Sequence, residues 1–170
     1  MRTNRRIAIG TGLGVLLLLA AFAAPAGAAG GGGSEGSPRK PEDPDYIAAE
    51  KAIDRGNFAA AIPLLEAVVA RDDTNADAYN YLAYAVRKNG DPARAIPIYK
   101  KALAIDPRHR GAHEYIGEAY LALDDVANAR LHLAALDKLC FFPCSQYRDL
   151  KKAVEAYEKS GGKAKPQASR

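Results

Sequence analysis

The stretch ADAYNYLAYAVRKNGDPARAIPIYKKALAIDPRH, residues 76–109, decides the fold. It contains two runs of helix-forming residues separated by Gly90 and Asp91, a pair typical of a tight turn. Gly90 can adopt the left-handed conformation that ends a helix, and the side chain of Asp91 can cap the next one. Pro92 fits a first helical position, and Pro107 redirects the chain after the second helix. The stretch therefore predicts two antiparallel helices joined by a short turn.

The same pattern recurs on both sides of this stretch at a constant interval of about 34 residues, which is a period typical of helical repeats. Small, turn-forming and bulky apolar residues all repeat in one register, which indicates a repeat architecture. The small positions are Ala49/Ala83/Gly117 and Ala61/Ala95/Ala129, the turn positions are Gly56/Gly90/Asp124 and Asn57/Asp91/Asp125, and the bulky positions are Leu65/Tyr99/Leu133. We expect small residues where paired helices approach closely, and three copies of one helix–turn–helix unit.

The second copy resembles the tetratricopeptide repeat (TPR) family. The residues that carry this resemblance are Tyr79, Leu82, Ala83, Gly90, Ala95, Tyr99, Ala102 and Pro107. The first copy, about 42–75, lacks the final proline, and the third, about 110–140, lacks the turn glycine. The resemblance implies an all-α fold, a right-handed α-solenoid of about three TPR units, in an exported bacterial protein of this family. It also implies that the chain binds proteins.

One more amphipathic helix is predicted from about Ser145 to Lys159. Its apolar stripe comprises Tyr147, Leu150, Val154 and Tyr157. A terminal repeat must cover its apolar edge, so we interpret this segment as a capping helix with Ser145 as its N-cap. The alternative is that the stripe grips a helix of a partner.

The N-terminus has the three parts of a secretory signal peptide. Arg2, Arg5 and Arg6 precede an uncharged apolar stretch, residues 7–24, and small residues follow it. We therefore predict a signal peptide over residues 1–28, cleaved after Ala28 or Ala26. The protein would be periplasmic or secreted. The alternative is an uncleaved anchor in the inner membrane, which would be the only contact with a membrane.

Composition divides the remainder of the chain. Residues 29–45 are rich in glycine and proline and are predicted to be a linker, and residues 160–170 a disordered tail. The TPR domain with its capping helix is thus expected over 46–159. The net charge of +4 depends on the N-terminus, because removing residues 1–29 leaves 21 basic against 20 acidic residues. This balance argues against nucleic acid as a partner.

The two cysteines, Cys140 and Cys144, enclose Phe141, Phe142 and Pro143. In an exported chain such a pair favours a structural disulfide that fixes the joint between the third repeat and the capping helix. We expect the two phenylalanines to pack beneath it. A redox-active dithiol and a metal site are the competing interpretations. The two cysteines lack the Cys-x-x-Cys spacing that is usual for a redox-active dithiol. Two thiols are also too few ligands for a metal site.

The sequence contains no pattern of residues that indicates catalysis. His109 and His113 are four residues apart, but no zincin motif joins them, and they are more typical of a surface or a repeat interface. No Ser/His/Asp arrangement and no phosphate-binding glycine loop is present. We therefore expect no enzymatic activity, no cofactor and no metal.

The resemblance places a peptide-binding groove along the first helix of each copy. The positions that it assigns to the groove are Tyr46, Glu50, Ile53, Asp77, Asn80, Tyr84, Arg87, Lys88, Glu114, Glu118 and Leu121. The family's carboxylate clamp is not reproduced, because Tyr46 and Glu50 stand where it requires Lys and Asn. We expect that replacing Tyr84 and Arg87 by alanine lowers partner affinity without unfolding the domain.

These features together predict an exported TPR scaffold or adaptor for protein–protein interactions, such as the assembly of envelope complexes. Two alternatives remain open. One is a thiol-redox or metal-handling periplasmic protein that uses Cys140 and Cys144. The other is a structural subunit held permanently in a larger complex.

Overall fold

The computed structural model describes residues 43–162, which form seven α-helices and no strand. The predicted signal peptide and most of the predicted linker and tail lie outside these residues. The helices are α1 Pro44–Asp54, α2 Phe58–Arg71, α3 Ala76–Lys88, α4 Pro92–Ile105, α5 Arg110–Ala122, α6 Val126–Leu139 and α7 Ser145–Lys159. Within the described part, no helix is both long enough and apolar enough to cross a membrane.

The turn inside each repeat forms as the sequence predicts. Gly56 and Gly90 have φ values of 71° and 101°, in the left-handed region. Asp124 occupies the same position in the third copy with φ 60°, at some cost in backbone energy because it carries a side chain. The carboxyl of Asp91 then accepts a hydrogen bond from the backbone N–H of Arg94 at 2.9 Å, and Asn57 and Asp125 cap their helices in the same way.

Two helix boundaries differ from the sequence-based expectation. Helix α1 begins at Pro44, so its first two residues belong to the predicted linker; proline suits the first turn, and Asp43 accepts a hydrogen bond from the N–H of Asp45 at 2.9 Å. The N-cap of α7 is Cys144, and Ser145 is the first helical residue. The side chain of Cys144 makes no cap hydrogen bond, because its sulfur is joined to Cys140.

The helices pair as α1/α2, α3/α4 and α5/α6, and each pair packs on the next through α2/α3 and α4/α5. The repeated alanines lie at the centre of this stack and are fully buried: Ala49, Ala61, Ala83, Ala95 and Ala129. Tyr99 and Leu65, which occupy the equivalent bulky position, are also fully buried. The predicted all-α solenoid of three TPR units is therefore confirmed.

Helix α7 continues the stack as a further first helix. It packs against both α5 and α6, as α5 packs against α3 and α4. Leu150 and Val154 are buried, while Tyr147 and Tyr157 are partly buried against the same core. The apolar stripe of α7 is thus covered within the chain, which fits the capping role and leaves little of the stripe for a partner helix.

Candidate protein-binding face

The first helices of the units, α1, α3, α5 and α7, each contact the next along the stack. Their side chains at the repeat spacing therefore share one surface, which we call the first-helix face. Tyr46, Asn80, Glu114 and Arg148 occupy one equivalent position on the four helices. All of the groove residues expected from the sequence lie on α1, α3 and α5.

The middle of this face is organised around Arg87. Its guanidinium Nη2 forms an ion pair with Glu118 Oε2 at 2.8 Å, and its Nε donates a hydrogen bond to the hydroxyl of Tyr99 at 3.4 Å. The guanidinium carbon lies 5.4 Å and 5.6 Å from the ring centroids of Tyr84 and Tyr115, within cation–π range. We call Tyr84, Arg87, Glu114, Tyr115 and Glu118 the central cluster.

Arg87 is a structural residue as much as a candidate binding residue. It is only 5% exposed, and it connects α3 with α4 and α5 through Tyr99 and Glu118. Removing one partner of a fully buried ion pair costs about 3–5 kcal/mol, and the cost here is lower because the side chain of Glu118 is 24% exposed. We therefore expect Arg87→Ala to destabilise the fold as well as to weaken binding, whereas Tyr84 is only half-buried and its removal should be better tolerated.

Glu114 is the most perturbed carboxyl group of the central cluster. Its side chain is buried, and burial, together with the negative charges of Glu118 and Asp149, raises its pKa to about 8. The positive charge of Arg87 acts in the opposite direction but does not cancel them. In the free chain this carboxyl is therefore mostly protonated at neutral pH.

The α1 end of the face is aromatic and acidic. The rings of Tyr46 and Tyr81 meet edge to face with centroids 5.7 Å apart. Burial raises the pKa of Tyr81, and the negative charges of Glu50, Asp77 and Asp54 raise it further. The structure thus places Tyr46 and Glu50 together, in a group separate from the central cluster.

Asn80 and Lys88 differ from the exposed ligand-binding groups that the sequence suggests. Asn80 is 5% exposed, and its Oδ1 has no hydrogen-bond partner within residues 43–162. The ammonium of Lys88 lies 5.7 Å from the ring centroid of Phe58, so it contacts the preceding repeat.

Sequence reasoning missed three residues of this face: Tyr81, Tyr115 and Asp149. They occupy one equivalent position in successive units, so the repeat spacing could have found them. Tyr115 directly follows Glu114 on α5, and Asp149 lies on α7, outside the three repeats whose first helices carry the predicted groove. Tyr115 packs on Tyr84 with ring centroids 4.9 Å apart, which makes it an integral part of the face.

The cysteine loop lies between α6 and α7. Cys140 and Cys144 are joined in a disulfide, with their α carbons 5.8 Å apart. Phe141 and Phe142 are 94% and 77% exposed, so the expectation that they pack beneath the disulfide is wrong. Both rings lie in the loop that the disulfide closes, and they pack edge to face on each other with centroids 4.9 Å apart.

The histidines take part in hydrogen bonds between and within repeats. His109 caps α5 by accepting a hydrogen bond from the N–H of Ala112 at 3.1 Å, and its Nε2 lies 3.0 Å from Asp77 Oδ1. The Nδ1 atoms of His113 and His132 are 2.9 Å apart. No group of three or more His, Cys, Asp or Glu residues within 43–162 is arranged to hold a metal ion.

Comparisons with known proteins agree with this architecture. Two tetratricopeptide repeat profiles match residues 48–109 and 86–154. The crystal structure of the Yersinia enterocolitica type III secretion translocator chaperone SycD is similar in fold, with a TM-score of 0.59 at 17% identity. That similarity covers 68% of this chain and 87% of the chaperone chain. No curated protein sequence matches significantly. The chain belongs to the tetratricopeptide repeat family.

Proposed function

We propose that this chain is an exported scaffold that binds a segment of a partner protein on its first-helix face and brings envelope proteins together. The membership in the TPR family supports a protein-interaction role. The observation that carries the proposed site is the central cluster, where α3 and α5 present Tyr84 and Tyr115 beside the Arg87–Glu118 ion pair.

The residue types of this cluster suit protein recognition. Tyrosine and arginine are enriched among the residues that dominate binding energy in interfaces, because they offer large contact areas and directional polar groups. Tyr84 and Tyr115 are both half-buried, so each ring is held by the fold while one part remains accessible. A preorganised aromatic surface loses little conformational entropy when a partner segment binds.

The test compares two tyrosines of the same helix. Affinity capture from an envelope fraction would use the chain from Ala29 onward, together with its Tyr84→Ala and Tyr79→Ala variants. Tyr79 is also half-buried on α3, but it lies under Lys101 of α4 and away from the central cluster. We expect Tyr84→Ala to lose the captured partners and Tyr79→Ala to retain them. Equal capture by both variants would contradict the proposed site.

Export rests on the sequence of the N-terminus and has its own test. The full chain would be expressed in a bacterium, and the protein from the periplasmic fraction would be sequenced from its N-terminus. We expect mature protein that starts after Ala28 or Ala26. Intact protein beginning at Met1 in the membrane fraction would contradict cleavage and support an anchor.

A second candidate function is thiol–disulfide exchange by the cysteine loop. Two observations favour it: the loop residues Phe141 and Phe142 are exposed, and Cys144 stands at the N-terminus of α7, where a helix stabilises a thiolate. The disulfide would take two electrons and two protons from a substrate dithiol, which would become a disulfide. Reduction of the native chain by a dithiol peptide would support this function, and resistance to it would leave a structural role.

A further inference from the structure

The side chain of Glu114 is nine-tenths buried, and the described residues offer its carboxyl no hydrogen-bond or ion-pair partner. It is 9% exposed, and within residues 43–162 its carboxyl makes no hydrogen bond and no ion pair. Burying an unpaired ionisable group opposes folding, and a hydrophobic residue at this position would avoid that cost. The fold therefore fixes the position of a carboxyl group that accepts no hydrogen bond from the described residues.

The charges around Glu114 are unbalanced in favour of a cation. Glu118 of α5 and Asp149 of α7 both face it and raise its pKa, while Arg87 of α3 is the group that lowers it. The positive charge of Arg87 is already paired with Glu118 at 2.8 Å. Arg148 occupies the equivalent position on α7, but its guanidinium donates a hydrogen bond to the carbonyl of Pro143 at 3.4 Å and does not shift the pKa of Glu114. The carboxyl groups of Glu114 and Asp149 thus remain in excess at this part of the face.

A second unpartnered acceptor occupies the equivalent position on α3. Asn80 is 5% exposed and its Oδ1 makes no hydrogen bond to any residue of the described part. Asn80 and Glu114 are separated by one full repeat, so they lie one above the other on the first-helix face. Buried acceptors that a folded chain leaves unsatisfied are rare, so the unsatisfied Oδ1 of Asn80, one repeat away from Glu114, points to a donor from outside the described residues.

The neighbouring aromatic side chain completes a surface for a long cationic residue. Tyr115 directly follows Glu114 on α5 and is half-buried, and its ring packs on Tyr84 with centroids 4.9 Å apart. Lysine and arginine have aliphatic stems that pack on such rings while their charged ends reach a carboxyl group.

We propose that Glu114 receives the ammonium or guanidinium group of a lysine or arginine in the partner segment, with Asp149 adding negative charge and Tyr115 holding the aliphatic stem. This inference rests on the proposed function, because it names the chemistry of the partner that the first-helix face binds. The family's carboxylate clamp binds the opposite charge, so this site reverses the polarity of that arrangement.

Binding at this site is coupled to proton release. Glu114 is mostly protonated at neutral pH in the free chain, since its pKa is raised to about 8. A bound cation favours the ionised form, so the carboxyl loses its proton when the partner binds. Arg87, Tyr84, Tyr115, Glu118 and Asp149 are the other titratable groups that face Glu114. Affinity should therefore rise as the pH increases from 6 to 8.5.

The experiment uses a random dodecapeptide library displayed on phage and selected on the full chain. Peptides that depend on the first-helix face are those that bind the wild type and not Tyr84→Ala. A peptide of this class is then synthesised in two forms, one with its cationic residue and one with norleucine in that place. Affinities are measured for the wild type, Glu114→Gln and the control Glu66→Gln, whose site lies on α2 in an exposed ion pair with Arg94.

We expect the selected peptides to share one lysine or arginine position. Norleucine should weaken binding to the wild type and to Glu66→Gln by about tenfold or more, and binding to Glu114→Gln much less. Two outcomes would overturn the inference and leave the proposed function standing. In the first, the peptides depend on Tyr84 but share no cationic position. In the second, norleucine lowers their affinity equally for all three chains. If no selected peptide depends on Tyr84, both fail.

Discussion

Leu150 of α7 lies directly against Gly117 of α5. A β carbon built on Gly117 would stand 2.6 Å from Leu150 Cδ2 and 2.7 Å from its Cδ1. Leu150 is fully buried, so its side chain has little room to move away. Glycine at the small position of the third repeat therefore allows the capping helix α7 to approach α5, in addition to the paired helix α6.

Gly117→Ala should loosen α7. We expect overpacking to lower the free energy of unfolding by about 1–3 kcal/mol. The higher helix propensity of alanine offsets about 1 kcal/mol of this loss. Hydrogen exchange of α7 should accelerate more than that of α1. Gly111→Ala on the same helix is the control, because its β carbon would come no nearer than 3.3 Å to the His109 side chain and 3.5 Å to Asn80. Equal stability of the two variants would contradict this account.

Glu114→Gln should stabilise the chain at high pH. The folded-state pKa of about 8 exceeds the unfolded value, so between pH 4.5 and 8 the folded chain binds more protons and its stability falls as pH rises. Glutamine does not titrate, so the variant does not lose stability in this way. We expect its free energy of unfolding at pH 8.5 to exceed that of the wild type by about 2 kcal/mol, after allowance for solvent screening. Urea unfolding at several pH values measures it. A gain that does not depend on pH would show that the carboxyl is not perturbed.

His132 should make the fold sensitive to acid. Burial, together with the charges of His113 and Lys100, lowers its pKa to about 4. Between pH 6.5 and 4 the unfolded chain binds more protons, so stability is lost as pH falls through this range. His132→Phe keeps a ring to stack on Tyr120, 5.8 Å away between centroids, and should reduce that loss by about 2 kcal/mol. An unchanged acid slope in thermal unfolding would argue against His132 as the cause.

Replacing both Cys140 and Cys144 by serine should act mainly on the capping helix. The disulfide closes a short loop, and loop-closure entropy for that length corresponds to about 2 kcal/mol. We expect a lower melting temperature and reduced hydrogen-exchange protection in α7, with little change in α1. Thiol titration of the native chain gives an independent check, and two freely reactive thiols would contradict the bond.

The sequence predicted the helices and turns well because the signals are local. The left-handed residues Gly56 and Gly90, and the capping side chains Asn57 and Asp91, act within a few residues of their own position. The constant repeat interval then set the register of the units. The exposure of Phe141 and Phe142 was not predicted, because it depends on how a short disulfide loop leaves the helices.

The sequence by itself therefore determined a TPR array with small residues at the close approaches and a final amphipathic helix. Only the tertiary structure decided what the face of the first helices contains. It buried Arg87 in an ion pair with Glu118, buried Glu114 without a partner among residues 43–162, and packed α7, which carries Asp149, against α5. The physical reason is that burial and charge balance are set by side chains far apart in the chain, whose distances the repeat spacing does not specify.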